Sequence, residues 1–290
     1  MATPLVAVFC SSPALACFLQ QAVAMTNVFK RNNVTVTGRG RQPLLFAHGF
    51  GCDQTMWRFI TSAFEEDYRI ILFDYVGSGK SDLSAYDVQK YATLDGYAQD
   101  VLDICHALDL RDVIFVGHSV SSMIGVLAAN REPERFQRLI MVGPSPRYIN
   151  DADYVGGFER ADIEGLLDIM DKNYIGWANF LAPVVMKNDD RPELAGELQE
   201  SFCSTDPRIT RRFAETVFLA DNRADVKGVR VPSLIMQCSE DAIAPVEVGA
   251  YLQRTMPQST LLRMKATGHC PHLSHPRETI EAIKTYLSTA

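Results

Sequence analysis

Apolar positions along the chain fall into two kinds of segment. Short runs dense in Val, Ile, Leu and Phe occur at Asn33–Val36, Leu44–His48, Arg69–Asp74, Val113–Val116, Leu139–Val142, Ser233–Gln237 and Thr260–Met264. Such runs predict strands. Being nearly continuous rather than alternating, they predict strands covered on both faces. Between them, apolar residues recur at helical spacing. Thr55–Glu66 carries Met56, Phe59, Ile60, Ala63 and Phe64, and Thr93–Leu110 carries Leu94, Tyr97, Ala98, Val101, Leu102, Cys105 and Leu108. Further helices are predicted after Ser119, after Val246 and over Pro276–Tyr286. Strand–helix alternation of this kind predicts an α/β protein with a mostly parallel central sheet.

The rhythm breaks between Asn150 and Arg223. Helical periodicity there covers Glu159–Met170, Gly176–Val185, Glu193–Cys203 and Pro207–Leu219, with no strand evident. An all-helical insertion in a strand–helix series predicts a cap over the carboxyl edge of the sheet. The expected division is a core formed by 26–149 and 224–290, with a helical cap at 150–223. Residues 1–25 stand apart: Pro4–Phe18 is uncharged and largely apolar, and Ala22-Val23-Ala24 has a small-x-small pattern. A secretory signal ordinarily opens with a basic residue, and none precedes Lys30. The stretch reads as a leader or non-native extension, with Met25 a candidate start; an atypical signal and a genuine N-terminal element are the alternatives.

Composition narrows the function classes. The 290 residues are 47% hydrophobic, enough for a large core, and carry a net charge of −7. Lys and Arg are scattered, which argues against a nucleic-acid partner. Beyond the first residues nothing resembles a membrane span. The seven cysteines lack paired CxxC or metal-ligand spacing and sit mostly among apolar neighbours. They read as reduced, buried thiols of a cytoplasmic protein. With no metal cluster or redox motif in the sequence, a cofactor-free mechanism is expected.

The candidate chemistry centres on Gly117-His118-Ser119-Val120-Ser121. A strand precedes it, and small and apolar residues at helical spacing follow (Met123, Ile124, Leu127, Ala128). A sharp strand-to-helix turn lifts a serine hydroxyl out of the chain and aims the next N–H at a developing oxyanion. Such a serine needs a base, and the base an orienting acid. Of six histidines, His106 reads as surface, and His48 and His118 as loop scaffolding. His269, after a strand and behind Gly268, is the preferred base, with His272 and His275 as competitors. The acid should leave a neighbouring strand. Asp241 is preferred over the adjacent Glu240. Asp74, in a Gly-x-Gly turn, lacks phosphate-loop spacing and reads as a turn residue binding backbone amides. The second oxyanion N–H is expected from the His48-Gly49-Phe50-Gly51 loop, at Phe50, beside that of Val120.

Serine, acid and base in that chain order resemble the α/β-hydrolase superfamily. Phe50-Gly51-Cys52-Asp53-Gln54, Phe73 to Gly79, Leu94 to Asp100, Val116 to Val120 and Gly268 to His272 resemble RsbQ-type bacterial stress-response regulators. Ser145-Pro146-Arg147-Tyr148 and Gly156-Gly157-Phe158-Glu159 also resemble the plant karrikin and strigolactone receptor hydrolases. The resemblance runs from about Asn27 to Tyr286. It implies an α/β-hydrolase fold, a triad of Ser119, Asp241 and His269, oxyanion amides at Phe50 and Val120, and an apolar pocket beneath the cap. It further implies cleavage of a small hydrophobic ester or lactone in a signalling role. One expected partner is a PAS-domain protein phosphatase that controls a stress sigma factor. A weakly catalytic ligand sensor and a carbon–carbon bond hydrolase are the alternatives. Ser121 departs from the GxSxG pattern, which carries glycine at that position. Among the cap aromatics Tyr174, Trp177, Phe180, Phe202, Phe213 and Phe218, the expected pocket residues are Trp177, Phe180 and Phe218.

Overall fold

A computed structural model describes residues 27–289. The leader expectation for residues 1–25 lies outside the described residues. A helical turn at 27–31 leads into seven strands: β1 Thr35–Thr37, β2 Gln42–Ala47, β3 Tyr68–Leu72, β4 Val113–His118, β5 Phe136–Val142, β6 Ser233–Gln237 and β7 Ser259–Arg263. The main helices are α1 Leu94–Ala107, α2 Val120–Arg131, α3 Arg160–Lys172, α4 Tyr174–Met186, α5 Pro192–Cys203, α6 Pro207–Phe218, α7 Val246–Thr255, α8 Pro271–Ser274 and α9 Pro276–Ser288.

The strands form one sheet in the order β1-β3-β2-β4-β5-β6-β7. Only β1 pairs antiparallel, on β3, and every other pairing is parallel. The central strands explain their own position. Leu44, Leu45, Phe46 and Ala47 of β2 are fully buried, as is every residue of β4. Side chains alternate across the sheet and feed two apolar layers. Leu45, Phe115, Met141 and Ile235 face a layer shared with α1, α2 and α7. Leu44, Phe46, Val116, Ile140, Val142 and Met236 face the opposite one, closed by α9 and the segment after β2. The α/β expectation and the parallel sheet stand as read from the sequence.

The segment after β2 departs from that reading. Thr55–Glu66 was expected to be a helix and instead folds as two short 3₁₀ turns, Gln54–Trp57 and Thr61–Ala63. Its backbone bonds run three residues apart, as from Ile60 N to Trp57 O and Phe64 N to Thr61 O. Thr55, Trp57, Phe59, Ile60 and Thr61 are β-branched or aromatic, and such residues lose side-chain freedom in an α-helix. Packing of Trp57 and Phe64 on Phe46, at 5.1 and 6.3 Å between ring centroids, fixes the tighter turns. Phe59 is left 45% exposed.

Helices α3–α6 form the predicted helical run. Pro192 and Pro207 open α5 and α6 at first-turn positions that need no N–H donor, and Asp206 accepts from Arg208 N and Ile209 N to cap α6. These helices are tied to loops at the carboxyl ends of the strands. Ser201 Oγ donates to Gly51 O at 2.7 Å, Arg58 pairs with Glu197 at 2.7 Å, and His269 N donates to Val185 O at 2.8 Å. Among the described residues, no helix is long and apolar enough to cross a membrane.

Candidate active site

Ser119 stands between β4 and α2 with φ 56° and ψ −123°, a left-handed backbone that L-residues avoid. A bond from Ser119 N to Val142 O, 2.8 Å long, holds the turn. Gly117 makes it possible: a Cβ there would sit 2.7 Å from the backbone C and O of Ser121. The strain projects the hydroxyl beyond the strand end.

Three loops then converge. Ser119 Oγ lies 2.8 Å from His269 Nε2, and His269 Nδ1 lies 2.7 Å from Asp241 Oδ2. All three residues are buried. Asp241 Oδ1 accepts from Ile243 N at 2.8 Å and Ala244 N at 3.0 Å, which leaves Oδ2 to the imidazole. The carboxylate fixes a proton on Nδ1, so Nε2 is the acceptor facing the hydroxyl. The competitors lie elsewhere. Glu240 is exposed and pairs with Lys187 at 2.6 Å. His272 packs between Trp57 and His118, with ring centroids 4.5 Å from each, and His275 bonds Ser274. His106 pairs with Glu132 on the surface. Asp74 accepts from the Gln54 and Lys80 amides, as its turn suggested.

No hydrogen bond reaches the backbone N–H of Phe50 or Val120 among the described residues. The loop that carries Phe50 is held firmly. Ser121 Oγ donates to His48 O at 2.5 Å, and Tyr75 OH donates to Ser121 Oγ at 3.0 Å. His48 Nε2 accepts from Tyr75 N at 3.2 Å, so its proton is on Nδ1, facing Gly49 O at 2.8 Å. Burial lowers the pKa of His48 and keeps this ring neutral. The hydroxyl of Ser121 thus gives the departure from GxSxG a structural role: it anchors the loop opposite the nucleophile. His118 supports the His269 loop, its Nε2 donating to His269 O at 2.9 Å. Burial, with His272 and His269 close by, drives its pKa well below the usual histidine range.

Tyr148, on the loop after β5, places its hydroxyl 3.4 Å from Ser119 Oγ, a loose contact. Burial pushes its pKa up to about 12, so the phenol stays protonated. The sequence assigned Tyr148 no chemical role; its signals were a place just beyond the carboxyl end of a predicted strand and membership of the Ser145–Tyr148 motif.

Beside His269 lies a small, partly open cavity of about 30 Å³. Phe50, Leu181, Phe202, Phe218, Ile243 and His269 line it. Of the three aromatics expected at the pocket, Phe218 is among the lining residues. Trp177 is fully buried but one layer back, 6.1 Å from Phe50 and 5.1 Å from Phe202 between centroids. Phe180 is a correction: it is 60% exposed. The inward stripe of α4 is Trp177, Ala178, Leu181, Ala182 and Val185, and Phe180 falls off it. Leu181 and Phe202 take the places that Phe180 was expected to fill. A wider groove of about 750 Å³ between α1 and α6 shares no residue with this constellation.

The sequence profile described as the alpha/beta hydrolase family matches residues 44–282. The chain belongs to that family. It is 37% identical over 262 residues to "Strigolactone esterase D14" of Arabidopsis thaliana, covering 90% of this chain and 98% of that protein. It is 36% identical over 261 residues to "Karrikin insensitive 2 receptor CA" of Petunia hybrida, covering 90% and 97%. The solved structure of the hydrolase olei00960 from Oleispira antarctica superposes with a TM-score of 0.90 at 45% identity, over 92% of this chain and 98% of that one. The family resemblance and fold class stated from the sequence therefore hold, and with them the likeness to the karrikin and strigolactone group.

Proposed function

We propose that the protein is a serine hydrolase that cleaves an ester or lactone bond of a small hydrophobic molecule, with Ser119, His269 and Asp241 as its triad. One observation carries this reading: the continuous Ser119–His269–Asp241 hydrogen-bond chain, at 2.8 and 2.7 Å, on a strained serine. Ser119 Oγ attacks the carbonyl carbon while its proton passes to His269 Nε2. The resulting oxyanion takes hydrogen bonds from the free N–H groups of Phe50 and Val120. As the tetrahedral intermediate collapses, His269 returns the proton to the leaving alkoxide, or to the ring oxygen of a lactone. Water, deprotonated by the same imidazole, then attacks the acyl-enzyme and releases the acid. Asp241 holds the imidazole and stabilises its charged form.

The helices at 150–223 serve as the cap, and the role we assign the enzyme is signalling in the cytoplasm. The kinship with hormone-receptor hydrolases supports that role, and the buried free thiols support the compartment. A second reading rests on the same kinship: ligand occupancy is read by a protein partner, for which the RsbQ resemblance nominates a PAS-domain phosphatase of a stress sigma factor pathway. The decisive test is labelling with a fluorophosphonate probe together with hydrolysis of p-nitrophenyl acetate. Wild type labels and turns over, and Ser119→Ala does neither; undiminished labelling of Ser119→Ala refutes the assignment. Binding of a purified PAS phosphatase that survives Ser119→Ala favours the sensor reading.

A further inference from the structure

We infer that Phe202 is the residue that sets acyl-group size, restricting the site to short acyl chains; this rests on the serine-hydrolase reading above. Its ring lines the small cavity beside His269, where only about 30 Å³ is open. That is room for a water or two, whereas sites that enclose drug-sized ligands measure roughly 300–1,000 Å³. One edge of the ring also lies against the loop at Gly51. A Cβ on Gly51 would fall 2.2 Å from Phe202 Cδ1 and 2.4 Å from Cε1. Gly51 has φ +70°, so glycine is required there for both conformation and space.

Phe202 cannot easily be pushed aside. It is 2% exposed and wedged between Phe50 and Trp177, at 6.1 and 5.1 Å between centroids. Its helix is fastened to the core on the same side. Ser201 Oγ bonds Gly51 O, and Glu197 pairs with Arg58 just beyond the oxyanion loop. An acyl chain lying along the loop toward the cap therefore meets an aromatic wall whose supports are the loop itself. An acetyl group needs no displacement of that wall, and a longer chain must move it together with α5.

The prediction is read from kcat/KM on p-nitrophenyl acetate, butyrate and octanoate. Wild type should prefer acetate. Phe202→Ala should raise the octanoate-to-acetate ratio about tenfold or more, the scale that single methylenes command in a fitted pocket. Phe202→Leu, which leaves a smaller void, should give an intermediate shift if the alanine variant fails to fold. Phe180→Ala, on the outer face of α4, should leave the ratio unchanged. A wild type that takes octanoate as readily as acetate overturns the inference, as does an unchanged ratio in a folded Phe202 variant. No hydrolysis of any ester by the wild type, with no fluorophosphonate labelling, refutes the hydrolase reading itself.

Discussion

The two oxygens of Asp241 do different work. Oδ1 is held by two backbone amides and Oδ2 faces the imidazole. Asp241→Asn keeps the shape but can place an N–H where the imidazole also needs to donate, which favours the wrong tautomer. A fall in kcat of roughly 10²–10⁴ is expected with melting nearly unchanged; kcat within threefold of wild type contradicts the role. His272 makes a different prediction. Burial first, then the charges of His269 and Arg58, lowers its pKa from 6.5 to about 3. Folding thus keeps it neutral over a range in which the unfolded chain takes up a proton. Its contribution is complete above pH 6.5 and lost as pH falls toward 3. Buried His48 and His118 act with the same sign. Urea unfolding at about pH 7.5 and pH 5 should show wild type losing stability at up to about 1.4 kcal/mol per pH unit for this one proton. His272→Phe should lose less, and an equal loss in both proteins counts against the account. At this scale the sequence was informative where function needs a local motif. Ser119 and its glycine are neighbours in the chain, so strand, turn and helix announce them. Tyr148 contributes through a spatial neighbour that no local pattern encodes, and Phe180 could not be told from the other cap aromatics until the phase of α4 was fixed.

Helix α4 and the loop that carries His269 form one mechanical unit. His269 N–H satisfies Val185 O, one of the carbonyls that a helix C-terminus leaves open. Gly268, at φ +78°, packs so closely that a Cβ would lie 2.0 Å from Met186 O. Gly268→Ala must drive loop and helix apart. A loss of roughly 1–3 kcal/mol is expected, as for other strained backbone positions, visible as a lower Tm. Slower fluorophosphonate labelling should accompany it, because His269 moves with its backbone. Unchanged melting and labelling would show that the contact is dispensable. Element by element, legibility followed burial. Strands covered on both faces and amphipathic helices carry their own period, and their predicted positions agree with the structure to within a few residues. The 54–63 segment carries a helical period too, yet its turns are set by Trp57 and Phe64 docking on Phe46, a tertiary contact that outweighs periodicity.

The whole molecule brings together loops from three strand ends. Parallel alternation was legible; the strand order was not, because it depends on which strand each helix crosses to. A reversible ligand that fills the cavity binds only the folded state, so it should raise Tm with concentration, by about 2.7 kcal/mol of stability at a hundredfold excess over Kd. Thermal melts with graded amounts of a non-hydrolysable short-chain ester analogue test this, and a Tm indifferent to concentration refutes pocket binding. The topology also sets a schedule. Ser119 and its base are separated by 150 residues, and the acid precedes the base by only 28. During synthesis Ser119 emerges well before the two residues that complete its hydrogen-bond chain. A nascent chain that has not yet reached His269 thus carries Ser119 without the imidazole that would accept its proton in the proposed triad. On the proposed triad, reactivity is therefore armed last.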